Sequence, residues 1–439
     1  MNAPTAVINC GNRNPANNDC IPLTTKDIGI INSIYSVGGF VTALVAGPFA
    51  DAIGRKRTAL LDALLLIVGS YIASIAHTVG VMSLGRFIAG LGAGFAIVIT
   101  PIYLNEISPR LLRGLFGTMN QVSICAGILL AQIIGLYYSD EDHWRLILRA
   151  GSYIGIVNAL LLSVCMESPK WLAVKGQITE ATRTLVKLRG SPDVDDELTS
   201  WIQTRPAAES EGLLGGSDEP VSGHGEVVSV MDFLTLPEYR PSLRAVIGVM
   251  AFQQFSGINA IVFYGVSILS ASMPQYSKLI NCFISVLNLV VTVGISPFVD
   301  RFGRRPLLLL SLLGMSVFSA LLGISTLGHI PIGSSLSAAL FVASFGIGLG
   351  PIPFLIISEL APAPAVGVAQ STGATANWIA TFLVVFIFPY LDSSLGDYTF
   401  FVFTITGALG VLFIYRCVPE TKHRASYREV WAGFHYPNN

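Results

Sequence analysis

The sequence predicts an all-α integral membrane protein that crosses the bilayer about eleven times. Three observations support this fold class: the composition is too apolar for a soluble surface, long apolar runs recur along the chain, and basic residues cluster in alternate loops. Of the 439 residues, 52% are hydrophobic and only 12% are charged, about half of the charged share in soluble proteins. The chain therefore needs a surface that faces lipid.

A helix that crosses the hydrocarbon needs about 20 mainly apolar residues. The runs that meet this requirement fall into two groups, which predict an N-terminal bundle of five spans over 28–165 and a C-terminal bundle of six spans over 242–417. The spans are expected at 28–50, 58–77, 81–104, 115–138, 146–165, 242–270, 277–299, 306–328, 335–359, 371–391 and 399–417.

Basic residues in the short loops predict the orientation of the helices, because cytosolic loops carry an excess of Lys and Arg. Basic residues occur at 55–57, 301–305 and 416–428, all at one end of the predicted helices, which we name the basic end. The opposite end carries the acidic run 140–142 and few cations. The basic end is therefore expected in the cytosol, and an odd number of spans places the tail 418–439 there.

The N-terminal residues 1–27 are expected on the exoplasmic side. They are polar and contain no apolar core of a signal peptide, so the first span is expected to act as an uncleaved anchor. Cys10 and Cys20 lie in this segment, and a disulfide between them is a hypothesis that suits an exoplasmic position.

A long polar segment over residues 166–241 separates the two bundles and is expected to form a cytosolic linker. Two amphipathic helices are expected in it, at 178–188 and 193–203. The residues that follow, 209–226, are rich in Gly, Ser and acids, and this composition predicts disorder.

Three motifs of the first half recur in the second half at nearly the same offset. Such internal repeats are typical of transporters. The repeat also exposes an asymmetry, because the span at 242–270 has no counterpart in the first half. The motifs and their repeats are marked by Asp51 and Asp300, Glu106 and Glu359, and Glu167 and Glu420.

These motifs resemble those of the sugar porter family of the major facilitator superfamily, and the resemblance runs from about Thr25 to Lys422. It implies two pseudo-symmetric helical bundles with twelve helices, of which the first is missing here. Any one of these motifs can also occur in unrelated proteins, but all of them together and in this order are specific for the family. The motifs that carry it begin at Gly47, Gly85, Glu106, Glu167, Gln253, Gly350 and Pro419.

The chain departs from the family pattern in three respects. The first helix has no counterpart. Phe354 stands where relatives carry a tryptophan, and Gly346 occupies a position that is often acidic. Residues 363–370 lack the arginine expected opposite Glu359, so one of the two symmetric ionic latches described below is expected to be weaker.

The resemblance implies a sugar site built from neutral amides and apolar walls. Amides both donate and accept hydrogen bonds, as sugar hydroxyls do, and an indole ring can cover the apolar face of a sugar. The alternative is that these amides only join helices to one another. The implied site residues are Gln121, Ile124, Ile128, Gln253, Gln254, Asn259, Phe263, Tyr264, Asn288, Phe345, Phe354, Asn377 and Trp378.

The resemblance also implies ionic latches at the basic end, which close the cytosolic side in one state and open in the other. The alternative is topological, with residues that only orient the helices. Arg86 lies within an apolar span, where it needs an acceptor or snorkels to the interface. Prolines and glycines over 346–353 predict a hinge or a static kink. The residues given a conformational role are Asp51, Gly54, Arg55, Arg86, Glu106, Arg113, Glu167, Asp300, Gly303, Arg304, Glu359 and Glu420.

The expected function is a secondary carrier that moves a monosaccharide, a hexose first, by alternating access as a uniporter or proton symporter. A non-transporting sugar sensor or trafficking factor, or a polyol or inositol transporter, are the alternatives. The absence of a P-loop and of metal-ligand motifs predicts no enzyme activity, cofactor or metal. A net charge of −1 predicts no nucleic-acid partner. The expected location is the plasma membrane or the vacuolar membrane.

Overall fold

The computed structural model is almost entirely helical. In the part of the chain that it describes, the only β pairing is one isolated parallel bridge, between Asn9 and Ile21, and this confirms the all-α prediction. The residues described are 5–10, 20–109, 112–202, 228–272, 275–422, 424 and 427–432.

Five long helices form the N-terminal bundle. Each contains an apolar run of about the length that crosses the hydrocarbon of a membrane. The first begins with a capping box, in which Thr24 Oγ1 accepts from the Asp27 N–H and the Asp27 carboxylate accepts from the Thr24 N–H. In chain order the helices are α1 (Thr25–Ile53), α2 (Arg55–Ser74), α3 (Val79–Ile107), α4 (Arg113–Tyr138) and α5 (Trp144–Val164).

The polar segment folds into short helices close to those predicted: α6 (Pro169–Val174), α7 (Ile178–Arg189) and α8 (Asp195–Ile202). The side chain of Arg189 holds them together, since it donates to Glu197 at 2.8 and 2.9 Å and to the Ile107 carbonyl of α3 at 2.8 Å. The predicted disordered segment 209–226 lies outside the described residues.

The C-terminal half contains two helices that are broken where the sequence predicted continuous or hinged spans. Gly257, with a φ of +94°, ends α10 and separates it from α11, which the prediction of one span over 242–270 missed. The helices are α9 (Val230–Thr235), α10 (Arg240–Phe255), α11 (Ile258–Ser272), α12 (Ser277–Ile295), α13 (Arg304–Leu327), α14 (Pro331–Ile347), α15 (Ile352–Leu360), α16 (Val366–Leu395), α17 (Thr399–Cys417) and α18 (Tyr427–Ala432).

The described residues hold ten helical stretches that are long and apolar enough to cross a membrane, against eleven predicted spans. The last stretch, Val366–Cys417, has 52 residues, which is too long for one crossing at about 1.5 Å per residue. It comprises α16 and α17, which both pack on α10. The chain therefore turns back between them, and this stretch holds two of the predicted spans.

The two bundles meet along two helix pairs, α1 with α16 and α4 with α12. Close approach marks the first pair: the Gly47 N–H donates to Ser371 Oγ at 3.0 Å, and a Cβ on Gly39 would lie 2.4 Å from the Trp378 ring. Small residues let helix backbones approach closely in membranes. The α1–α16 contact thus runs from the middle of the helices toward the basic end.

The N-terminal residues pack on the end of the bundle opposite the basic end. The Ile21 N–H donates to the Ile8 carbonyl at 2.8 Å, and both side chains are buried in a cluster with Trp144. Cys10 and Cys20 are joined by a disulfide in the structure.

Substitution of Gly69 is expected to destabilise the N-terminal bundle. A Cβ there would lie 2.3 Å from the Ala89 backbone nitrogen, so Gly69→Leu forces α2 and α3 apart and costs about 1–3 kcal/mol or more. Thermal unfolding of the purified protein in detergent measures the loss. Gly294→Leu is the matched control, because nothing lies within 4 Å of a Cβ at that position; equal effects of the two substitutions would contradict the prediction.

The Cys10–Cys20 pairing is testable by mass spectrometry. Alkylation before and after reduction should add two alkyl groups to the N-terminal peptide only after reduction. The exposed free thiol of Cys165 serves as the internal control, since it should react without reduction. Alkylation of Cys10 and Cys20 in the unreduced protein would exclude the disulfide.

Candidate functional site

Four amides from α10, α11 and α16 form one hydrogen-bonded network. Asn377 Nδ2 donates to Gln253 Oε1 at 2.6 Å, and Gln254 Nε2 donates to the same oxygen at 3.3 Å. Asn259 Nδ2 donates to Gln254 Oε1 at 2.6 Å and to Thr381 Oγ1 at 3.2 Å. The structure thus brings four of the predicted site residues together without any charged group among them.

The turn between α14 and α15 connects this network to the N-terminal bundle. Gln253 Nε2 donates to the Leu349 carbonyl in the turn at 2.6 Å. Gln121 of α4 lies beside Gly350, the residue after Leu349 in this turn. A Cβ on Gly350 would be 3.2 Å from Gln121 Nε2. The non-helical backbone is therefore flanked by amides of both bundles.

A second polar group lies where α4 meets α12. Gln121 Nε2 is 3.5 Å from Cys125 Sγ, which is 3.7 Å from Thr292 Oγ1. Asn288 projects to the same place, because a Cβ on Gly346 would lie 3.1 Å from both Asn288 Oδ1 and Thr292 Oγ1. Asn288 Oδ1 is buried and has no hydrogen-bond partner among the described residues. Sequence reasoning missed Cys125 and Thr292, which carry no motif of their own.

Aromatic side chains border the network. Tyr264 stacks on Phe388 with ring centroids 5.2 Å apart, and its hydroxyl donates to the Val385 carbonyl at 3.0 Å. Trp378 meets Tyr35 of α1 edge-on at 5.8 Å, and its buried Nε1 has no partner within the described residues. The other predicted wall residues are buried or half-buried in the site's helices: Ile124, Ile128, Phe263, Phe345 and Phe354.

The first latch, at the basic end of the N-terminal bundle, is a buried ion pair. Arg55 Nε and Nη2 donate to the two Glu106 oxygens at 2.8 and 2.9 Å, and Arg55 Nη1 lies 2.8 Å from Asp51 Oδ1. Glu167 Oε1 accepts from the backbone N–H groups of Arg55 and Lys56 at 2.9 and 3.1 Å. Three acids thus converge on one turn.

The second latch repeats this geometry in the C-terminal bundle. Arg304 donates to the Glu359 oxygens at 2.8 and 3.1 Å and lies 2.8 Å from Asp300 Oδ1. Glu420 accepts from the N–H groups of Arg304 and Arg305 at 3.0 and 3.1 Å. Residues 363–370 contain no arginine, and Glu359 instead binds Arg304 of the same half. The expectation that this latch is the weaker one stays a prediction.

Each latch turn begins with a glycine in the left-handed region, Gly54 at a φ of +100° and Gly303 at +91°. Residues other than glycine rarely adopt this backbone conformation. It turns the next two backbone N–H groups toward Glu167 in the first latch and toward Glu420 in the second. Arg113, at the start of α4, has a side chain that lies outside the described residues.

The aspartates of the latches also lie against the opposite bundle. A Cβ on Gly114, at the start of α4, would be 2.1 Å from Asp300 Oδ2, and one on Gly367, at the start of α16, would be 3.5 Å from Asp51 Oδ2. Helix N-termini carry partial positive charge that favours such carboxylates. A cavity of about 810 Å³ opens between the two latches.

Two ionisable residues lie deeper in the N-terminal bundle. The Arg86 guanidinium stands 4.8 Å from the centre of the Tyr35 ring, and its Nε is buried with no partner among the described residues. The predicted acceptor for Arg86 is therefore an aromatic face. Asp62 on α2 is 8% exposed; sequence reasoning missed it, although a single acid in an apolar run was the signal.

Similarity to known proteins agrees with this architecture. Residues 1–431 match the family model described as sugar (and other) transporter. A probable metabolite transport protein of Saccharomyces cerevisiae is 38% identical over 417 residues, which cover 94% of this chain and 84% of that protein. The facilitated glucose transporter member 3 of solute carrier family 2 from Ovis aries is 35% identical over 419 residues, covering 92% and 81%.

Another yeast relative and a solved structure extend the comparison. The vacuolar protein sorting-associated protein 73 of Saccharomyces cerevisiae is 34% identical over 407 residues, which cover 92% of this chain and 82% of that protein. A structure of the proton:xylose symporter XylE, bound to 6-bromo-6-deoxy-D-glucose, superposes with a TM-score of 0.80 at 22% identity, covering 99% of this chain and 93% of that chain. XylE is a xylose transporter from E. coli, and at this identity the likeness concerns the fold.

Substitution of Glu106 in the first latch is expected to destabilise the protein more than substitution of Glu359 in the second latch. Glu106→Gln leaves Arg55 buried without its main partner, a change that costs about 3–5 kcal/mol. The two arginines are equally buried, but the Glu359 side chain is 25% exposed against 9% for Glu106. Water can therefore reach the position of the Glu359 carboxylate, and Glu359→Gln should cost less, roughly 1 kcal/mol.

Thermal unfolding of the two variants in detergent measures this difference. Glu180→Gln on the exposed face of α7 is the control and should unfold with the unchanged protein. A larger loss for Glu359→Gln than for Glu106→Gln would contradict the assignment of the first latch as the more buried one.

The repeated latches and the paired bundles belong to a fold that this chain shares with the proton:xylose symporter structure. The family model covers nearly the whole chain, and relatives above 30% identity cover more than nine-tenths of it. The chain belongs to the sugar (and other) transporter family.

Proposed function

We propose that this protein carries a monosaccharide, a hexose first, across a membrane by exposing one site alternately to the two sides. The observation that supports this most strongly is a pair of buried orphan atoms at the site: the Trp378 Nε1–H donor and the Asn288 Oδ1 acceptor. Leaving such atoms unpaired costs about 1–3 kcal/mol each. A sugar hydroxyl can both donate and accept, so one class of ligand satisfies both.

The amide network supports a neutral polyhydroxyl substrate over an ion. Its four members bond to one another in the structure, and each can exchange an internal bond for one to a hydroxyl group at little net cost. Among the described residues, no cation or carboxylate hydrogen-bonds to Gln253 or Asn377, so an ionic solute would lack a counter-charge. Relatives named as glucose and xylose transporters are consistent with this choice.

The latches and the broken helix support alternating access. The ion pairs of each latch lie within one half, whereas, among the described latch side chains, Asp51 and Asp300 lie against the other half. Each bundle can therefore move as a unit while these outer contacts open, and the turn at 348–351 between α14 and α15 can act as a hinge. The alternative remains a static kink. With the basic end in the cytosol, the cavity between the latches opens to that side.

We infer that the site residues and the latches take the roles implied by the resemblance, with protons as the second solute of a symporter and lipid as the surrounding partner. The family is one of transporters and not of enzymes. The protein is multi-pass, in the plasma membrane or the vacuolar membrane.

A second candidate is a trafficking factor with the same fold that does not move solute. The name of the 34% identical yeast relative, a vacuolar protein sorting-associated protein, favours it. This candidate predicts no sugar flux across a membrane that contains only the purified protein. A polyol or inositol cargo keeps transport and changes only the substrate.

Uptake into proteoliposomes tests the proposal. The purified protein should take up radiolabelled glucose, with unlabelled hexoses competing better than pentoses or polyols. Gln253→Ala and Asn377→Ala should each lower uptake about tenfold, the equivalent of one or two hydrogen bonds. Gln132→Ala, on α4 outside the network, is the control and should transport normally. Absence of uptake of every sugar and polyol would reject transport in favour of the second candidate.

A further inference from the structure

Asp62 is a buried acid to which the site and the latches assign no role. It lies on α2, seven residues after Arg55 and so about 10 Å from the basic end of the helix. Its exposure is only 8%. Within the part of the chain that the structure describes, no ion pair or hydrogen bond reaches its carboxyl group.

The acids of the latches differ from Asp62 in this respect. Glu106, Asp51, Glu359 and Asp300 each face an arginine at 2.8 Å, which compensates their charge. A carboxylate inside a membrane helix without a partner is costly, and such residues commonly mark ion or proton pathways. Protonation makes the group neutral and removes that cost. Asp62 is therefore suited to bind and release a proton as its surroundings change.

Among the described residues of the helices that pack on α2, no counter-ion lies at Asp62. On α3, Glu106 is held by Arg55 and Arg86 lies on the Tyr35 ring, while the Gly92 backbone approaches α2 at Asp62. On α1, the ionisable group that interacts with Asp62 is the Tyr35 phenol.

On α5, the two arginines lie farther along α2. Arg145 donates to the Ser74 carbonyl at 2.8 Å, and Gly151 contacts Ser70, so Arg149 lies between these levels. Ser70 is eight residues beyond Asp62, about 12 Å along the helix. The charges of α5 therefore do not neutralise Asp62.

Tyr35 lies between this acid and the candidate sugar site. The Arg86 guanidinium lies 4.8 Å from its ring centre, its phenol is close enough to Asp62 for their charges to influence each other, and its ring meets Trp378 of the opposite bundle at 5.8 Å. A change in the position of Trp378 on sugar binding would therefore be felt by Tyr35 and by the two ionisable groups beside it. The contact joins the N-terminal acid to a C-terminal site residue.

We propose that Asp62 is the proton-binding site of this carrier and that the proton moves together with the sugar. The Asp62 carboxylate takes one proton from water on one side, crosses the transport cycle as a neutral carboxyl group, and returns the proton to water on the other side. This inference rests on the proposed function, since without sugar flux there is nothing to couple.

Proteoliposomes with an internal pH dye test the proposal. With an acidic exterior, the full-length protein should accumulate radiolabelled glucose above equilibrium, and glucose should acidify the interior. Asp62→Asn, which mimics the protonated acid, should lower both accumulation and acidification at least tenfold while glucose counterflow persists. Asp62→Glu should restore part of the coupling, and Asp193→Asn in the polar segment is the control with full coupling.

The outcomes separate this inference from the proposed function. Glucose counterflow without acidification in the unchanged protein would overturn proton coupling and leave sugar transport intact. Full accumulation by Asp62→Asn would overturn the role of Asp62 alone. Loss of counterflow in Asp62→Asn, with Asp62→Glu also inactive, would make the residue structural and reject the inference. Absence of any sugar flux in the unchanged protein would reject both.

Discussion

The buried pair between Arg55 and Glu106 is the constraint on which the arrangement of the N-terminal bundle depends. Both side chains are 9% exposed, and an isolated charge at that depth would cost several kcal/mol. The pair can form only if the turn after α1 lies against the end of α3. Glu167 adds a bond from the start of the polar segment, so one arginine fixes three parts of the chain.

The pseudo-symmetric repeat of this pair separates strong contacts from weak ones. Within each half, Arg55 and Arg304 are less than 10% exposed and bind their glutamates with two hydrogen bonds. Between the halves, Asp51 and Asp300 are 54% and 45% exposed, where water screens the interaction. Strong contacts within each half and weak contacts between the halves suit two rigid bundles that move relative to each other.

The candidate site does not share this symmetry. Most of its amides come from the C-terminal half, and Gln121 is the predicted amide of the N-terminal half. The helix pair α10 and α11, which carries Gln253 and Asn259, has no counterpart among the described residues of the first half. Two ionisable groups of the first half, Arg86 and Asp62, lie instead near Tyr35. Away from the latches, most amides of the site therefore lie in the C-terminal bundle, and these two ionisable groups lie in the N-terminal bundle.

The sequence by itself determined the membrane helices, their division into two bundles and the acids and arginines of the latches. Apolar length, loop charge and repeated motifs are local properties of the chain, so they can be read without coordinates. Only the tertiary structure decided the break at Gly257, the partner of Glu359 and the isolation of Asp62. It also decided which amides bond to each other and which atoms of Asn288 and Trp378 stay unpaired, because these depend on distances between side chains that are far apart in sequence.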